Sequence, residues 1–156
     1  MKKFLVIGNP IEHSLSPTLH NYWIKNNSIN ATYEKQKLDE SGLEQLILEV
    51  KEKKINGINV TVPFKKTIIS YLDELSLEAE RTQSVNTIYL KNDKAIGHNT
   101  DIFGFKTSIE KSEYNLENKK ILILGAGGVV PSIIFALIKM KPLKITVLMQ
   151  LMKNKS

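Results

Sequence analysis

An uninterrupted apolar segment, residues 120–124 (KILIL), runs directly into a glycine-rich turn, GAGG, at residues 125–128. The pattern that follows predicts a helix to about residue 140 and a second strand over residues 144–147. Two strands and one helix cannot cover both faces of the apolar residues at 121–124 and 145–148, so we expect part of this apolar surface to be exposed. Glycines let the backbone approach a pyrophosphate, whose charge is favoured by the helix amino terminus. The segment predicts the start of a dinucleotide-binding βαβ unit, although Val130 occupies the third small position of that fingerprint.

A second strand-to-helix corner is predicted at residues 57–65, which read GINVTVPFK. Apolar and polar side chains alternate along the strand, and Pro63 has a fixed φ that suits a first helical turn. Asn59, Thr61 and Lys65 are then expected to meet at the carboxyl end of the strand, where open α/β sheets bind ligands. A plain corner with a solvated lysine is the alternative explanation of the same residues.

The amino-terminal segment combines a strand, a turn and a helix start. The strand is predicted over residues 3–8, and Ser16 followed by Pro17 predicts a helix that the serine hydroxyl caps. Ser14 lies close before that cap, so two hydroxyls stand beside a helix amino terminus, which favours anions. We interpret Ser14 and Ser16 as a binding site for a carboxylate, which is called the carboxylate seat below. The core face predicted for this helix consists of Leu19, Tyr22 and Trp23.

The middle of the chain alternates strand and helix patterns, which predicts an α/β fold. Asn86 falls inside a predicted strand, where its amide needs a partner if buried. Asp101 begins a further helix, which Thr100 or Asp101 caps in the simplest explanation. We expect a mixed, mostly parallel sheet with helices on both faces. The elements before Asp101 are a strand over residues 31–38, a helix capped by Ser41, a short helix over 76–81, and a hairpin of strands 84–90 and 95–98.

Composition excludes several classes of partner. The net charge of +6 comes almost wholly from lysine, and Arg81 is the only arginine among 156 residues. Arginine is preferred for bidentate phosphate and base contacts, so no nucleic-acid partner is expected. The absence of cysteine excludes disulfides and thiolate metal sites, and we predict no metal. Since the sequence shows neither a signal peptide nor an apolar run of membrane-spanning length, we expect a cytoplasmic protein without a membrane partner.

Five segments stand in order along the chain: GNPIEHSLSP at residues 8–17, NVTVPFK at 59–65, SVNT at 84–87, HNTDIFGF at 98–105 and GAGG at 125–128. Their order and spacing resemble the motifs of the shikimate dehydrogenase family. The resemblance implies a reversible, NADP-dependent reduction of 3-dehydroshikimate to shikimate, a step towards chorismate and the aromatic amino acids. It also implies a substrate-binding catalytic domain over residues 1–100, a connecting helix and linker over 101–118, and an incomplete NADP-binding Rossmann domain over 119–156.

The resemblance also implies a role for each matching residue. Ser14 and Ser16 would hold the substrate carboxylate, Thr61 and Asn86 would bind its hydroxyls, and Asn59 would join them. The cofactor pyrophosphate would lie on Gly125, Ala126, Gly127, Gly128 and Val129.

Lys65 and Asp101 would form the catalytic pair and also contact the substrate. When hydride reaches a carbonyl carbon, negative charge develops on the oxygen, and a nearby proton donor stabilises it. Lys65 would supply that proton and Asp101 would orient both partners; in the reverse direction Lys65 would act as the base.

The end of the chain departs from the family pattern. The family usually has an arginine after the second nucleotide-domain strand, and this arginine pairs with the 2′-phosphate of NADP; Gln150 stands there instead. Preference for NADP over NAD is therefore expected to be weak or reversed.

We expect a truncated or frameshifted chain, without the helices that in this family return to pack on the first domain. Weak shikimate binding and no competent turnover would follow.

Two alternative functions stay open at this point. One is a substrate-binding fragment without catalysis, and the other is a relative that acts on quinate as well as shikimate. Two serines at the carboxylate seat favour shikimate. A homodimer is a further expectation.

Overall fold

The computed structural model describes residues 1–149. It divides into two compact units, Met1–Asn99 and Thr100–Ser156. In the described part of the chain, no helix is both long and apolar enough to cross a membrane.

The first unit is built on a six-stranded sheet of order β2-β1-β3-β5-β6-β4. Strand β1 pairs in parallel with β2 and β3, whereas β5 is antiparallel to β3 and β6, and β4 is parallel to β6. This mixed α/β sheet confirms the predicted fold class. The strands are β1 (Lys2–Gly8), β2 (Ala31–Lys37), β3 (Gly57–Val60), β4 (Glu74–Leu75), β5 (Thr87–Lys91) and β6 (Lys94–His98), and the helices are α1 (Ser16–Asn26), α2 (Leu43–Lys51) and α3 (Leu77–Thr82).

The two faces of this sheet bury different clusters, because side chains alternate along a strand. Leu5 and Ile7 of β1 belong to the large cluster, with the apolar stripe of α2. Val6 belongs to a smaller cluster with Ile11 and Tyr33 on the opposite face. Apolar residues recur at helical spacing along α2, and all four of them are buried: Leu43, Leu46, Ile47 and Val50.

The core face predicted for α1 was wrong. Leu19, Tyr22 and Trp23 are 47%, 62% and 48% exposed. The helix instead turns His20 inward, where its ring stacks on Tyr33 of β2 with centroids 4.1 Å apart, and Ile24 packs on the smaller cluster. This stacking fixes the rotation of α1 and leaves the predicted stripe at the surface.

Two predicted serine caps were also wrong. Ser16 is the first residue of α1, and Leu15 occupies the cap position without a side-chain hydrogen bond. Ser41 lies within a 3₁₀ turn, Glu40–Gly42, that precedes α2. A serine is a cap only if its own backbone is extended, and here the turns place both serines inside helical backbone.

The α-helix predicted from Pro63 is replaced by a turn and a short 3₁₀ helix, Thr67–Tyr71. The amide of Phe64 donates to the carbonyl of Thr61 at 3.0 Å, and that of Ile69 donates to Lys66 at 3.2 Å, and both bonds span three residues. The amide of Ile68 donates to the carbonyl of Phe64 at 2.9 Å, and this bond spans four. Thr67, Ile68 and Ile69 are β-branched in succession, which disfavours an α-helix.

The hairpin is confirmed, with a two-residue turn. Asn92 and Asp93 have φ of 52° and 57°, the left-handed conformation that such a turn between strands requires. Its first strand begins at Thr87 and not at residue 84. The preceding residues bond elsewhere: the amide of Val85 donates to the carbonyl of Lys65 at 2.8 Å.

The second unit contains the predicted strand, glycine turn, helix and strand. These are β7 (Lys120–Leu124), α5 (Val130–Ile138) and β8 (Lys144–Leu148), with β7 and β8 parallel. Helix α4 (Asp101–Lys111) packs against α5, so it belongs to this unit. The exposure expected for the apolar residues of this pair is confirmed, since Leu122 and Leu124 are 58% and 75% exposed and Leu148 is 58% exposed. The predicted boundaries of the substrate-binding domain at residue 100 and of the linker at residue 118 stay a prediction.

Asp73 connects α2 to β6 through hydrogen bonds. These contacts predict how the free energy of unfolding depends on pH. Its Oδ1 accepts from Lys51 Nζ at 2.7 Å and its Oδ2 accepts from the amide of Ala95 at 2.7 Å. The Lys51 hydrogen bond, then that of Ala95, lowers the pKa of Asp73. A carboxylate with a depressed folded pKa contributes stability above its unfolded pKa of about 3.9, and this contribution is lost as pH falls through the folded value.

We therefore expect Asp73→Asn to cost about 1 kcal/mol of unfolding free energy at pH 7 and to flatten the loss of stability below about pH 4. Urea unfolding followed by Trp23 fluorescence at pH 3, 5 and 7 measures this. Asp93→Asn is the matched control, since Asp93 pairs with Lys53 at the surface. Equal pH profiles for the two variants would contradict the role given to Asp73.

Candidate active site

Three of the predicted substrate residues line one cleft at the carboxyl ends of β1 and β3. Ser14, Ser16 and Thr61 surround a cavity of about 290 Å³ together with Val6, Pro10, Ile11 and His13. The serines come from the segment after β1 and the threonine comes directly after β3, so parallel pairing of the two strands brings them together. The cleft thus presents hydroxyl groups beside the amino terminus of α1.

The segment that carries Ser14 is held by backbone and ionic contacts. The amide of Ser14 donates to the carbonyl of Ile11 at 3.0 Å, and Ser14 Oγ accepts from the amide of Ser16 at 3.3 Å. Lys35 Nζ donates to the carbonyl of Glu12, and Lys37 pairs with the Glu12 carboxylate at 3.4 Å. Backbone hydrogen bonds lower the pKa of Glu12. Ser14 therefore has a structural role that sequence reasoning missed.

Gly8 allows the ends of β1 and β3 to meet. The amide of Thr61 donates to the carbonyl of Ile7 at 2.9 Å, and the amide of Asn9 donates to Val62 at 3.0 Å. A Cβ on Gly8 would lie 2.7 Å from Thr61 Cγ2 and 2.9 Å from the carbonyl oxygen of Val62. Glycine is required here by close approach, and this approach sets the position of Thr61.

Lys65 lies on the turn that follows β3, between two anchors. Phe64 and Ile68 are 3% and 0% exposed and belong to the large cluster, whereas Lys65 is half-buried. Its carbonyl accepts from Val85, which ties this turn to the segment before β5. The structure thereby links the backbone of Lys65 to the segment that contains Asn86.

Asn86 is half-buried and hydrogen bonded on both its backbone and its side chain. Its carbonyl accepts from the amide of Val60 at 2.9 Å and from Asn59 Nδ2 at 3.3 Å, and its Oδ1 accepts from Thr87 Oγ1 at 3.1 Å. Asn59 Oδ1 accepts from the Tyr33 hydroxyl at 2.6 Å. Direct contact between Asn59 and a substrate stays a prediction, whereas its contact with Asn86 is visible in the structure.

Asp101 is the first residue of α4, in the second unit. Thr100 occupies the cap position without a side-chain cap, and the Asp101 carboxylate lies in the first helical turn, where negative charge is favoured. Its catalytic pairing with Lys65 stays a prediction.

The glycine turn of the second unit fits a pyrophosphate. Gly125 has φ of 106°, a conformation open to glycine, and its amide donates to Leu148 at 2.9 Å. A Cβ on Gly127 or Gly128 would meet no atom within 4 Å, so the backbone before α5 is accessible. Ala126 and Val129 lie in the same turn and are exposed. Gln150 lies outside the described residues.

Comparison with known proteins assigns the family. Residues 6–88 match the family model described as the shikimate dehydrogenase substrate binding domain. The chain is 67% identical over 144 residues to the shikimate dehydrogenase (NADP(+)) of Pelagibacter ubique strain HTCC1062, a match that covers 92% of this chain and 54% of that relative.

Two solved structures show the same architecture. A shikimate dehydrogenase in complex with NADP+ superposes with a TM-score of 0.87 at 37% identity, over 94% of this chain and 50% of that one. The shikimate 5-dehydrogenase of Thermus thermophilus, in complex with NADP(H) and shikimate, has a TM-score of 0.85 at 30% identity, over 94% and 56%. The chain spans about half the length of the relatives that it matches. By its motifs, its fold and these matches, the chain belongs to the shikimate dehydrogenase family.

Proposed function

We propose that this protein acts in the reversible, NADP-dependent reduction of 3-dehydroshikimate to shikimate, as an oxidoreductase of the shikimate pathway. The observation that carries the proposal is the cleft in which Ser14, Ser16 and Thr61 meet, next to the turn that bears Lys65. The names of the relatives support it, and the Thermus thermophilus enzyme was solved with both NADP(H) and shikimate.

The substrate binds through hydroxyl and amide groups in this proposal. Ser14 and Ser16 donate to the carboxylate, where the amino terminus of α1 adds favourable electrostatic potential. Thr61 and Asn86 hydrogen bond the ring hydroxyls. A small polar ligand fits a cleft of about 290 Å³, which lies at the lower end of ordinary ligand sites.

Lys65 and Asp101 carry the proton chemistry. The nicotinamide cofactor supplies the hydride when bound, and Gly125, Ala126, Gly127, Gly128 and Val129 hold its pyrophosphate. The Lys65 ammonium donates a proton to the substrate carbonyl oxygen as negative charge develops there, and it recovers a proton in the reverse direction. Asp101 orients Lys65 and a substrate hydroxyl.

The alternatives carry less support. The relatives named above are shikimate dehydrogenases, which does not favour a quinate enzyme or a binding fragment without catalysis. A cytoplasmic location and a homodimer stay predictions. Sedimentation at several protein concentrations measures whether the protein forms a homodimer.

The proposed function is tested by calorimetric titration of this chain with shikimate. Turnover is measured as NADPH oxidation with 3-dehydroshikimate in a chimera, in which residues 1–147 continue into the carboxy-terminal part of the Pelagibacter relative. Ser16→Ala is expected to raise the Kd for shikimate about tenfold, because one charge-assisted hydrogen bond to the carboxylate is lost. Ser70→Ala is the matched control, since its hydroxyl bonds only a nearby carbonyl in an exposed 3₁₀ turn. Shikimate affinity equal in both variants would contradict the carboxylate seat. No shikimate binding by the unaltered chain would contradict the proposed function.

A further inference from the structure

Two adjacent residues of α1, His20 and Asn21, contact the same residue of β2, Tyr33. The His20 ring stacks on the Tyr33 ring with an interplanar angle of 10°. Asn21 Nδ2 donates to the Tyr33 carbonyl at 2.7 Å, and the Tyr33 amide donates to Asn21 Oδ1 at 3.0 Å. Because β2 is an edge strand of the sheet, the Asn21 side chain occupies the place of a neighbouring strand. These contacts join α1 to both the side chain and the backbone of Tyr33.

Tyr33 is a fixed point for α1, because its own position is set by the sheet. Its side chain is 4% exposed, and its hydroxyl donates to Asn59 Oδ1 at 2.6 Å. Asn59 Nδ2 in turn donates to Thr87 Oγ1 at 3.2 Å. This polar network of Tyr33, Asn59 and Thr87 runs across the sheet from β2 to β5. A helix that is joined to Tyr33 is therefore held in a defined position relative to β3, whose end is followed by Thr61.

His20 also connects Tyr33 to the carboxylate seat. Its Nδ1 lies 2.9 Å from the carbonyl oxygen of Ser16. A carbonyl oxygen accepts hydrogen bonds and cannot donate them, so Nδ1 carries a proton and donates it. Ser16 lines the cleft. The imidazole of His20 therefore links the backbone of a cleft residue to the fixed ring of Tyr33.

The first turn of α1 depends on such a link. Ser16 is the first residue of the helix, and Leu15 occupies the cap position without a side-chain hydrogen bond. Helix ends fray, and a hydrogen bond to a ligand weakens steeply when its donor is misaligned. The side-chain bond from His20 gives the Ser16 carbonyl a donor beyond the helix backbone. It restrains the residue whose hydroxyl must be aligned with the ligand.

We propose that His20 and Asn21 are positioning residues that hold Ser16 in the carboxylate seat, by joining the first turn of α1 to Tyr33. Neither side chain needs to touch the substrate for this role. The inference rests on the proposed function for its ligand, since that function pairs Ser16 with the substrate carboxylate. The contacts that support it are all present in the unligated protein. It predicts that the Nδ1 proton of His20, and not merely its ring, matters for affinity.

The test uses one variant for each residue. His20→Phe keeps an aromatic ring to stack on β2 and removes the hydrogen bond to Ser16, whereas Asn21→Ala removes both hydrogen bonds to the β2 backbone. Asn27→Ala is the matched control, because this amide lies at the other end of α1 and its Nδ2 donates to the Trp23 carbonyl at 2.9 Å. The shikimate Kd of each variant of the whole chain is measured by calorimetry.

A double-mutant cycle with Ser16→Ala distinguishes positioning from a general loss of structure. His20→Phe and Asn21→Ala are each expected to raise the shikimate Kd about fivefold, as for the loss of one hydrogen bond. With Ser16→Ala also present, each should raise Kd by less than about twofold, because the hydroxyl that they position is already absent. Asn27→Ala should leave Kd unchanged. Equal effects with and without the Ser16 hydroxyl, or a Kd within twofold of the unaltered chain for either variant, overturn the inference.

Hydrogen exchange gives a readout that needs no ligand. The amide of Leu19 donates to the carbonyl of Leu15 at 3.1 Å and closes the turn that contains Ser16. Both variants should accelerate exchange at Leu19 by about fivefold or more, with the amides of Leu5 and Ile7 in β1 unchanged. Unchanged exchange at Leu19, or equal acceleration in β1, overturns the inference. If the unaltered chain binds no shikimate, the proposed function fails, and exchange at Leu19 alone decides whether the two residues hold this turn.

Discussion

Replacement of Lys65 by alanine is expected to lower kcat for 3-dehydroshikimate reduction by roughly 10²- to 10⁴-fold, with a much smaller change in KM. The proton that Lys65 donates is needed where charge develops on the carbonyl oxygen, so the interaction is stronger in the transition state than in the ground state. The half-buried position of Lys65, between the anchors Phe64 and Ile68, holds its backbone in place. A fixed donor of this kind affects the chemical step more than binding.

The measurement uses a chimera in which residues 1–147 continue into the carboxy-terminal part of the Pelagibacter relative, since that protein is 67% identical to this chain over their shared 144 residues. Lys66→Ala is the matched control: Lys66 is the adjacent lysine, is exposed, and should leave kcat within about twofold. A Lys65→Ala chimera with near-normal kcat would remove Lys65 from the mechanism. A uniform rise in KM for both lysine variants would indicate general attraction of the substrate anion instead.

Gly8→Ala is expected to be the most damaging small substitution near the cleft. The new methyl would lie 2.9 Å from the carbonyl oxygen of Val62, which is backbone and cannot rotate away. Relief of this clash must separate β1 from β3 and weaken the hydrogen bond between Asn9 and Val62. Overpacking of this kind costs about 1–3 kcal/mol of unfolding free energy. Because Thr61 moves with Val62, shikimate affinity should fall by at least about tenfold, as for the loss of one strong contact.

Urea unfolding followed by Trp23 fluorescence and shikimate titration measure the two effects. Gly104→Ala is the control for the substitution itself, because a Cβ there meets no atom within 4 Å and the residue lies inside α4. That variant should be neutral or more stable by up to about 1 kcal/mol, as alanine favours helices over glycine. Wild-type stability and affinity in Gly8→Ala would show that the strand ends can separate without consequence.

Several local features could be predicted because their causes lie within a few residues. The apolar spacing of α2 places Leu43, Leu46, Ile47 and Val50 on one face in any fold that contains the helix. The strand, glycine turn and helix at residues 120–138 depend on neighbouring residues in the same way. The meeting of Ser14 and Ser16 with Thr61 also follows, once β1 and β3 are known to be parallel.

Other features needed the tertiary structure, because their partners are distant in sequence. The rotation of α1 depends on a stack between His20 and Tyr33, and the packing of His20, not the hydrophobicity of Trp23, decides which face is inward. The turn after Pro63 is likewise tied to a distant segment, because the carbonyl of Lys65 accepts a hydrogen bond from the amide of Val85.

The sequence by itself determined the α/β class, the order of elements and the residue types that gather at the strand ends, since periodicity and motif spacing are local properties. The polar network was decided by tertiary structure alone. Tyr33 and Asn59 are separated by 26 residues, and Asn59 and Thr87 by 28. Their hydrogen bonds exist only when the register of the four neighbouring strands β2, β1, β3 and β5 is set. Register depends on the packing of whole strands against helices, and no residue type in the sequence encodes it by itself.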